Sequence, residues 1–376
     1  MTRSSPKRTA AIFWLAALFS SALILAALDY RVRDADSRLH SEIAARMAPS
    51  PAAQWIAPQF PPGWFMVGPY REHPVGIHLL PASLARLGYP SGQASLALSG
   101  VYVVLGLVLL RYLAATVVSA TEAGAVALFA QLLPIAFTFR IRANHEPAVL
   151  ACLLLALYGV ERSRRQPVWG IAVVGGLVTL LLVKGVFVVM GFLACALWLL
   201  ARRRGEPQVR AGGAWAALFA CLLAVGLVAL VYEHLYRQAA GLPFWSFYLG
   251  RQMGVAAVDQ SAAGVAQKAY NFLWYLARVL WFPFPWSLAL VAALLPPRSR
   301  PREATDAGTR TGVLFILGFS LLYVSLFSLS DRRADRYIFP VYYAVGAGGV
   351  VAALRAWPRL RSFTEDLLRR PWIPAA

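Results

Sequence analysis

Long uncharged apolar runs constrain this chain more than any other feature. They lie near Ala10–Leu28, Ala94–Leu110, Ala123–Thr138, Pro147–Val160, Trp169–Val183, Gly185–Leu200, Ala214–Val231, Phe272–Leu295, Gly312–Leu329 and Ile338–Leu354. A helix needs about 20 apolar residues to cross a bilayer, and many of these runs approach that length. Composition agrees. Of 376 residues, 59% are hydrophobic and 14% charged, whereas soluble domains are about half apolar and a quarter charged. The chain therefore reads as an all-α polytopic membrane protein of about ten spans. Residues 1–354 form a single transmembrane unit and 355–376 a short basic cytoplasmic tail, with no separate soluble domain.

The formal net charge of +19 would suggest nucleic acid in a soluble chain. Here the arginines cluster between apolar runs, at Arg162–Arg165, Arg202–Arg210, Arg298–Arg310 and Arg355–Arg370. That pattern sets membrane orientation, so no nucleic-acid partner is expected. It places both termini on the cytoplasmic side, and the membrane is expected to be a bacterial inner membrane. Met1–Leu28 also fits a signal peptide, but a retained first span is preferred because a polar motif follows it directly. The run from Trp169 to Leu200 has basic flanks on both sides, so it must cross twice and turn at Lys184-Gly185. All five histidines then fall on the outer face. Cys152, Cys195 and Cys221 sit inside apolar runs and form neither a disulfide framework nor a metal motif.

Two outer loops are long. Loop one, 29–92, contains a helix whose apolar positions Leu39, Ile43 and Met47 recur every four residues, with Asp36 or Ser37 as cap. His40, Glu42 and Arg46 lie off that stripe; such a helix would lie on the membrane surface, with His40 solvated. A second surface helix is expected from Gly76 to Leu87. Loop four, 232–271, opens with Tyr232-Glu233-His234, read as a helix end. Pro283-Phe284-Pro285 should break the run that follows.

The candidate chemistry sits on this face. Asp34 and Asp36 follow the first span and suit general-base work, or one of them simply caps the helix. Lys184 is either an anion contact or an interfacial side chain that snorkels. Asn144-His145-Glu146-Pro147 is a good helix start, yet the start does not require the Glu146 charge. A divalent metal held among Asp34, Asp36, Glu72 and His145 is the one cofactor these groups would support, although no pair has a recognised ligand spacing.

Five segments together resemble the dolichyl-phosphate-mannose protein mannosyltransferase family of the GT-C superfamily, whose bacterial relatives include the lipid A aminoarabinose transferases. Asp36–Met47 is similar to the family's Asp-Glu-x-x-Tyr-x-x-Ile-Ala loop, with Ser37 for Glu and His40 for Tyr. Glu72-His73-Pro74 resembles Glu-Lys-Pro-Pro. Arg142-Ala143-Asn144 resembles Arg-x-Asp, Val183-Lys184-Gly185 resembles Thr-Lys-Gly, and Arg336-Tyr337 to Pro340 resembles Arg-Tyr-x-x-Pro. The resemblance implies a GT-C-like helical bundle. It also implies inverting transfer of a sugar from a polyprenyl-phosphate donor to a hydroxyl of a glycan, lipid or protein. Asp36, with Asp34 in reserve, is the expected base. Lys184, Arg142, His73, Arg333 and Arg336 are expected to meet the donor phosphate, and Glu72, His145, Glu146, His40 and Tyr337 complete the site. Two other classes compete. A flippase for the same lipid would need no base and should show internal repeats with matching broken helices. A structural subunit would not depend on Asp36.

Overall fold

The computed structural model describes residues 34–64, 66–140, 142–205, 211–254, 262–295, 307–330 and 333–369, so the first expected span, Ala10–Leu28, lies outside it. Two helices precede the bundle: α1 (Ala35–Met47) and α2 (Gly76–Arg86). The chain then runs through α3 (Ser91–Ala114), α4 (Ala120–Ala130), α5 (Pro134–Arg140), α6 (Glu146–Ser163) and α7 (Gly170–Lys184). It continues with α8 (Phe187–Gly205), α9 (Gly212–Ala240), α10 (Trp245–Gly254) and α11 (Ala262–Trp281). Last come α12 (Trp286–Leu294), α13 (Ala307–Ser328), α14 (Phe339–Ala356) and α15 (Pro358–Arg369). No strand forms among the described residues; Gln59 and Pro69 make an isolated antiparallel bridge.

Small residues allow the central helices to touch. A Cβ on Gly176 would stand 2.7 Å from the Cys152 carbonyl, and one on Gly159 would stand 2.8 Å from the Val173 nitrogen. Backbone contact of this kind is how membrane helices gain packing when apolar burial gives no preference over lipid. α6 is the hub, packed against α3, α7, α8 and α9. It ends at Glu146 and Ser163, and nearly all of its side chains are buried.

Among the described residues, five helical stretches are long and apolar enough to cross a membrane: Ser91–Ala114, Pro167–Lys184, Gly212–Ala240, Gly308–Ser328 and Asp335–Ala356. Gly264–Trp281 and Trp286–Leu294 make a sixth only if their 106° bend lies within one span. The bend falls at Pro283-Phe284-Pro285, as expected from proline's missing donor. Several expected runs come out differently. Ala123–Thr138 is not one helix: α4 ends at Ala130, and α5 begins at Pro134. α6 and α8 belong to the bundle but are short, and charges crowd their ends, at Glu146, Glu161 and Arg162 in α6 and Arg202, Arg203 and Arg204 in α8.

Tyr232-Glu233-His234 does not end a helix either. α9 runs on to Ala240, where Gly241 caps it at φ 66°. The cause is side-chain burial. Tyr232 and Tyr236, one turn apart, pack with Phe244, Tyr248, Ala57 and Val75 into a second apolar cluster above the bundle. The Tyr232 hydroxyl accepts the Val75 N–H at 3.2 Å, and the Tyr236 hydroxyl donates to the Tyr70 carbonyl at 3.1 Å. These contacts hold the chain around Tyr70–Val75 over one end of the helices.

Candidate active site

The site begins at the cap of α1. Asp34, rather than Asp36 or Ser37, is the N-cap, and its Oδ1 accepts the Ser37 N–H at 3.0 Å. Asp36 is thereby left in the first turn with its carboxylate free of the helix. Its Oδ2 accepts a hydrogen bond from the Arg336 guanidinium, from the turn that leads into α14. The pair is accessible, with 40% of the Asp36 side chain and 36% of the Arg336 side chain exposed. The Ser37 hydroxyl accepts the Ala143 N–H at 2.9 Å, which ties α1 to the approach to α6.

The other pair is buried. Lys184 ends α7 and Glu146 begins α6, so the packing of the two helices brings them together. Lys184 Nζ donates to Glu146 Oε1 at 2.6 Å, and the side chains are 4% and 1% exposed. Lys184 therefore does not snorkel; it faces protein, with the Phe187 ring 4.7 Å from its ammonium. Glu146 suits the positive end of α6, but its Oε2 has no hydrogen-bond partner. The helix breaks after Lys184 because Gly185 adopts φ 52°. The Tyr248 hydroxyl fills that break: it accepts the Val186 N–H and donates to the Lys184 carbonyl, both at 3.0 Å.

Histidines join these pairs. His40 lies 4.5 Å from His145 and 5.2 Å from His78, and His73 lies 4.7 Å from His145, measured between ring centres. His40 is buried on α1 rather than solvated, because α1 packs against both α2 and α3. Burial, then the charges of Arg336 and Lys184, pull the His40 pKa down to about 3. Burial also holds His73, His78 and His145 well below the usual imidazole range. All four rings are thus neutral at pH 7. Unpartnered nitrogens remain on each: Nδ1 of His40 and His73, and Nε2 of His78 and His145. Among the described residues no set of three or more His, Cys, Asp or Glu is arranged to hold a metal ion.

The remaining candidates are dispersed around this centre. Glu72 Oε1 accepts from Arg251 on α10 at 2.7 Å. Arg142 stands 5.8 Å from the Phe139 ring, and Arg333 stands 4.7 Å from that of Tyr270. Tyr337 stacks on Phe327. His78, Arg251 and Tyr248 carry no role in the sequence reading, and Ser37 enters it only as a cap candidate and as the residue in place of the family's Glu. His78 had one usable signal, since it falls on the same expected face as the other histidines. Tyr248 had none beyond its place in an aromatic loop.

No family model and no curated protein sequence matches the chain. Solved structures do. ArnT from Cupriavidus metallidurans, in a crystal structure bound to undecaprenyl phosphate, superposes with a TM-score of 0.69 at 16% identity, covering 94% of this chain and 62% of that one. Its apo state gives 0.67 at 18% identity over the same shares. The oligosaccharyltransferase of Archaeoglobus fulgidus gives 0.53 at 14% identity, covering 96% of this chain and 52% of that one. The chain thus spans about three fifths of the length of ArnT. At such identities the likeness is one of architecture, and it agrees with the resemblance read from the five segments: this is a multi-pass membrane protein, all-helical among its described residues, with the fold seen in the ArnT and oligosaccharyltransferase structures.

Proposed function

We propose that the protein is an inverting glycosyltransferase that moves a sugar from a polyprenyl phosphate to an acceptor hydroxyl on a glycan, lipid or protein. The reaction takes place at the outer face of the membrane. The observation that carries this reading is the accessible Asp36–Arg336 pair beside the buried Lys184–Glu146 pair, at one end of the helices. ArnT, which shares the fold, is seen bound to undecaprenyl phosphate.

The chemistry asks for two opposed charges. An acceptor hydroxyl is a weak nucleophile at neutral pH, so a carboxylate must take its proton as attack proceeds. Asp36 takes that role, and Asp34 is committed to the cap. The acceptor oxygen bonds to the anomeric carbon while the bond from that carbon to the phosphate oxygen breaks. The leaving phosphate keeps the electron pair, and the proton ends on Asp36. Negative charge grows on the phosphate, where fixed cations stabilise it. Arg336 and Lys184 supply them. Glu146 offsets the Lys184 charge between turnovers. The neutral histidines add unpartnered ring nitrogens to the site without adding charge.

The test is transfer from a polyprenyl-phosphate sugar pool to an endogenous acceptor, in nanodiscs, with Asp36→Asn beside wild type. A fall of about 10²–10⁴-fold in transfer is expected from loss of a general base. Binding of undecaprenyl phosphate should persist in the variant. Wild-type rates in Asp36→Asn would remove the base assignment. Sugar that crosses the bilayer without changing its carrier would favour a flippase.

A further inference from the structure

The bundle contains an apolar cavity of about 450 Å³ that runs along α14 to the end remote from Asp36. α14 gives the direction: it starts beside Arg336 and ends at Arg355 and Ala356, which line the far end of the cavity. Leu113 of α3, Leu154 of α6, Leu290 of α12, and Gly312 and Ile316 of α13 form the walls with Ala347.

The two ends differ. Towards the site the space closes. Phe139, Phe339 and Tyr343 are buried, with ring centres 5.0 and 5.2 Å apart, and the gap they share with Pro147 holds only about 10 Å³. The opposite end is wet. Arg355 is exposed there and donates to Glu122 at 2.6 Å and to the Thr309 hydroxyl. Arg111 and Arg310 sit on the same helix ends, within the turns that line the cavity.

These features select an occupant. An apolar cavity of about 150 Å³ stays dry and accepts a six-carbon ring. This one has roughly three times that volume, which suits a single fatty acyl chain. From Pro340 to Arg355 the slot runs roughly 22 Å along α14, longer than one leaflet's half of the hydrocarbon core. A chain entering past Tyr343 would meet the aromatic floor, whereas one entering at Arg355 would leave an anionic headgroup among arginines. We propose that the cavity is a lipid-binding site for a phospholipid of the leaflet remote from Asp36, with one acyl chain in the slot and its phosphate at the Arg355 rim. The bound chain fills the space between α3–α6 and α12–α14. The site is separate from the carboxylates and does not depend on the proposed transfer reaction.

Native mass spectrometry of the full chain in mild detergent tests this, with a photoreactive-acyl phospholipid as probe. Wild type should retain one phospholipid through delipidation, and the probe should label α13 or α14. Gly312→Leu and Ala347→Phe fill the slot. A Cβ at Gly312 has no neighbour nearer than 4.0 Å, so the leucine has room. Both variants should reduce retention to background, and Arg355→Gln should lower it several-fold. Equal retention in wild type and both filled variants would overturn the site. A polyprenyl chain retained by wild type and lost in both filled variants, or labelling confined to helix ends near Asp36, would overturn the choice of leaflet and lipid.

Discussion

α6 carries a buried glutamate at each end, and the two are treated differently. Glu161 is saturated. Arg202 grips it with Nε at 3.0 Å and Nη2 at 2.7 Å, Arg164 reaches both oxygens at 3.1 and 3.2 Å, and Trp198 Nε1 donates at 2.9 Å. Glu146 has one partner, Lys184, and an oxygen with none. The cations differ as well. Guanidinium is planar and permanently charged, whereas an ammonium is a mobile point charge that can lose its proton when buried. One end of the helix is built as a joint between α6 and α8. The other keeps spare hydrogen-bonding capacity next to Asp36, which is what a site for an exchanging ligand needs.

The largest expected effect lies at the joint. Glu161→Ala removes the carboxylate that two buried arginines share and should cost about 3–5 kcal/mol. Thermal unfolding in detergent measures it. Glu146→Gln should cost less, about 1.5–3 kcal/mol, the worth of a hydrogen bond to a charged group, because the flexible Lys184 stem lets its ammonium reposition. It should weaken binding of undecaprenyl phosphate more than it weakens the fold. Equal destabilisation at both ends would break the comparison.

Acid sharpens it further. An unfolded histidine protonates near pH 6.5. The buried rings stay neutral to about pH 3 for His40 and well below 6.5 for the others. The unfolded state therefore binds more protons below pH 6.5, and stability present above that value is lost as pH falls towards 3. Each ring that stays dry contributes about 1.4 kcal/mol per pH unit. Arg336 and Lys184 beside the rings oppose their protonation, and Glu146 and Asp36 partly offset that. A pH series of unfolding midpoints should show this slope in wild type, and less of it in His40→Gln. Asp34→Ala is the smallest change, about 1 kcal/mol for a lost N-cap. It should leave transfer intact, in contrast to Asp36→Asn.

Much of the scaffold was legible because membrane helices advertise themselves by hydropathy. The turn at Lys184-Gly185 followed from basic flanks on both sides, and the proline break followed from local chemistry. The pairings were not legible. Lys184 and Glu146 lie 38 residues apart and Asp36 and Arg336 lie 300 apart, so no local pattern links them. His40 was misplaced for a simple reason. The stripe Leu39, Ile43, Met47 describes a helix with one buried face, but α1 is covered on two sides, so Ala44 and His40 are buried too. The α1 cap falls at Asp34, two residues before Asp36 and three before Ser37, because all three are competent caps and only the backbone decides among them.

The Tyr248 hydroxyl at the Lys184-Gly185 break has a wider consequence. A broken helix near a membrane exposes a carbonyl and an N–H that would otherwise recruit water. One phenol satisfies both. The position of the lysine ammonium is therefore pinned by a residue of α10, far along the chain. Tyr248→Phe would look conservative by size and hydropathy, yet it removes a single atom on which the hinge closes. The expected result is a wetter, looser lysine and a lower affinity for anions, in a protein whose helices are otherwise unchanged.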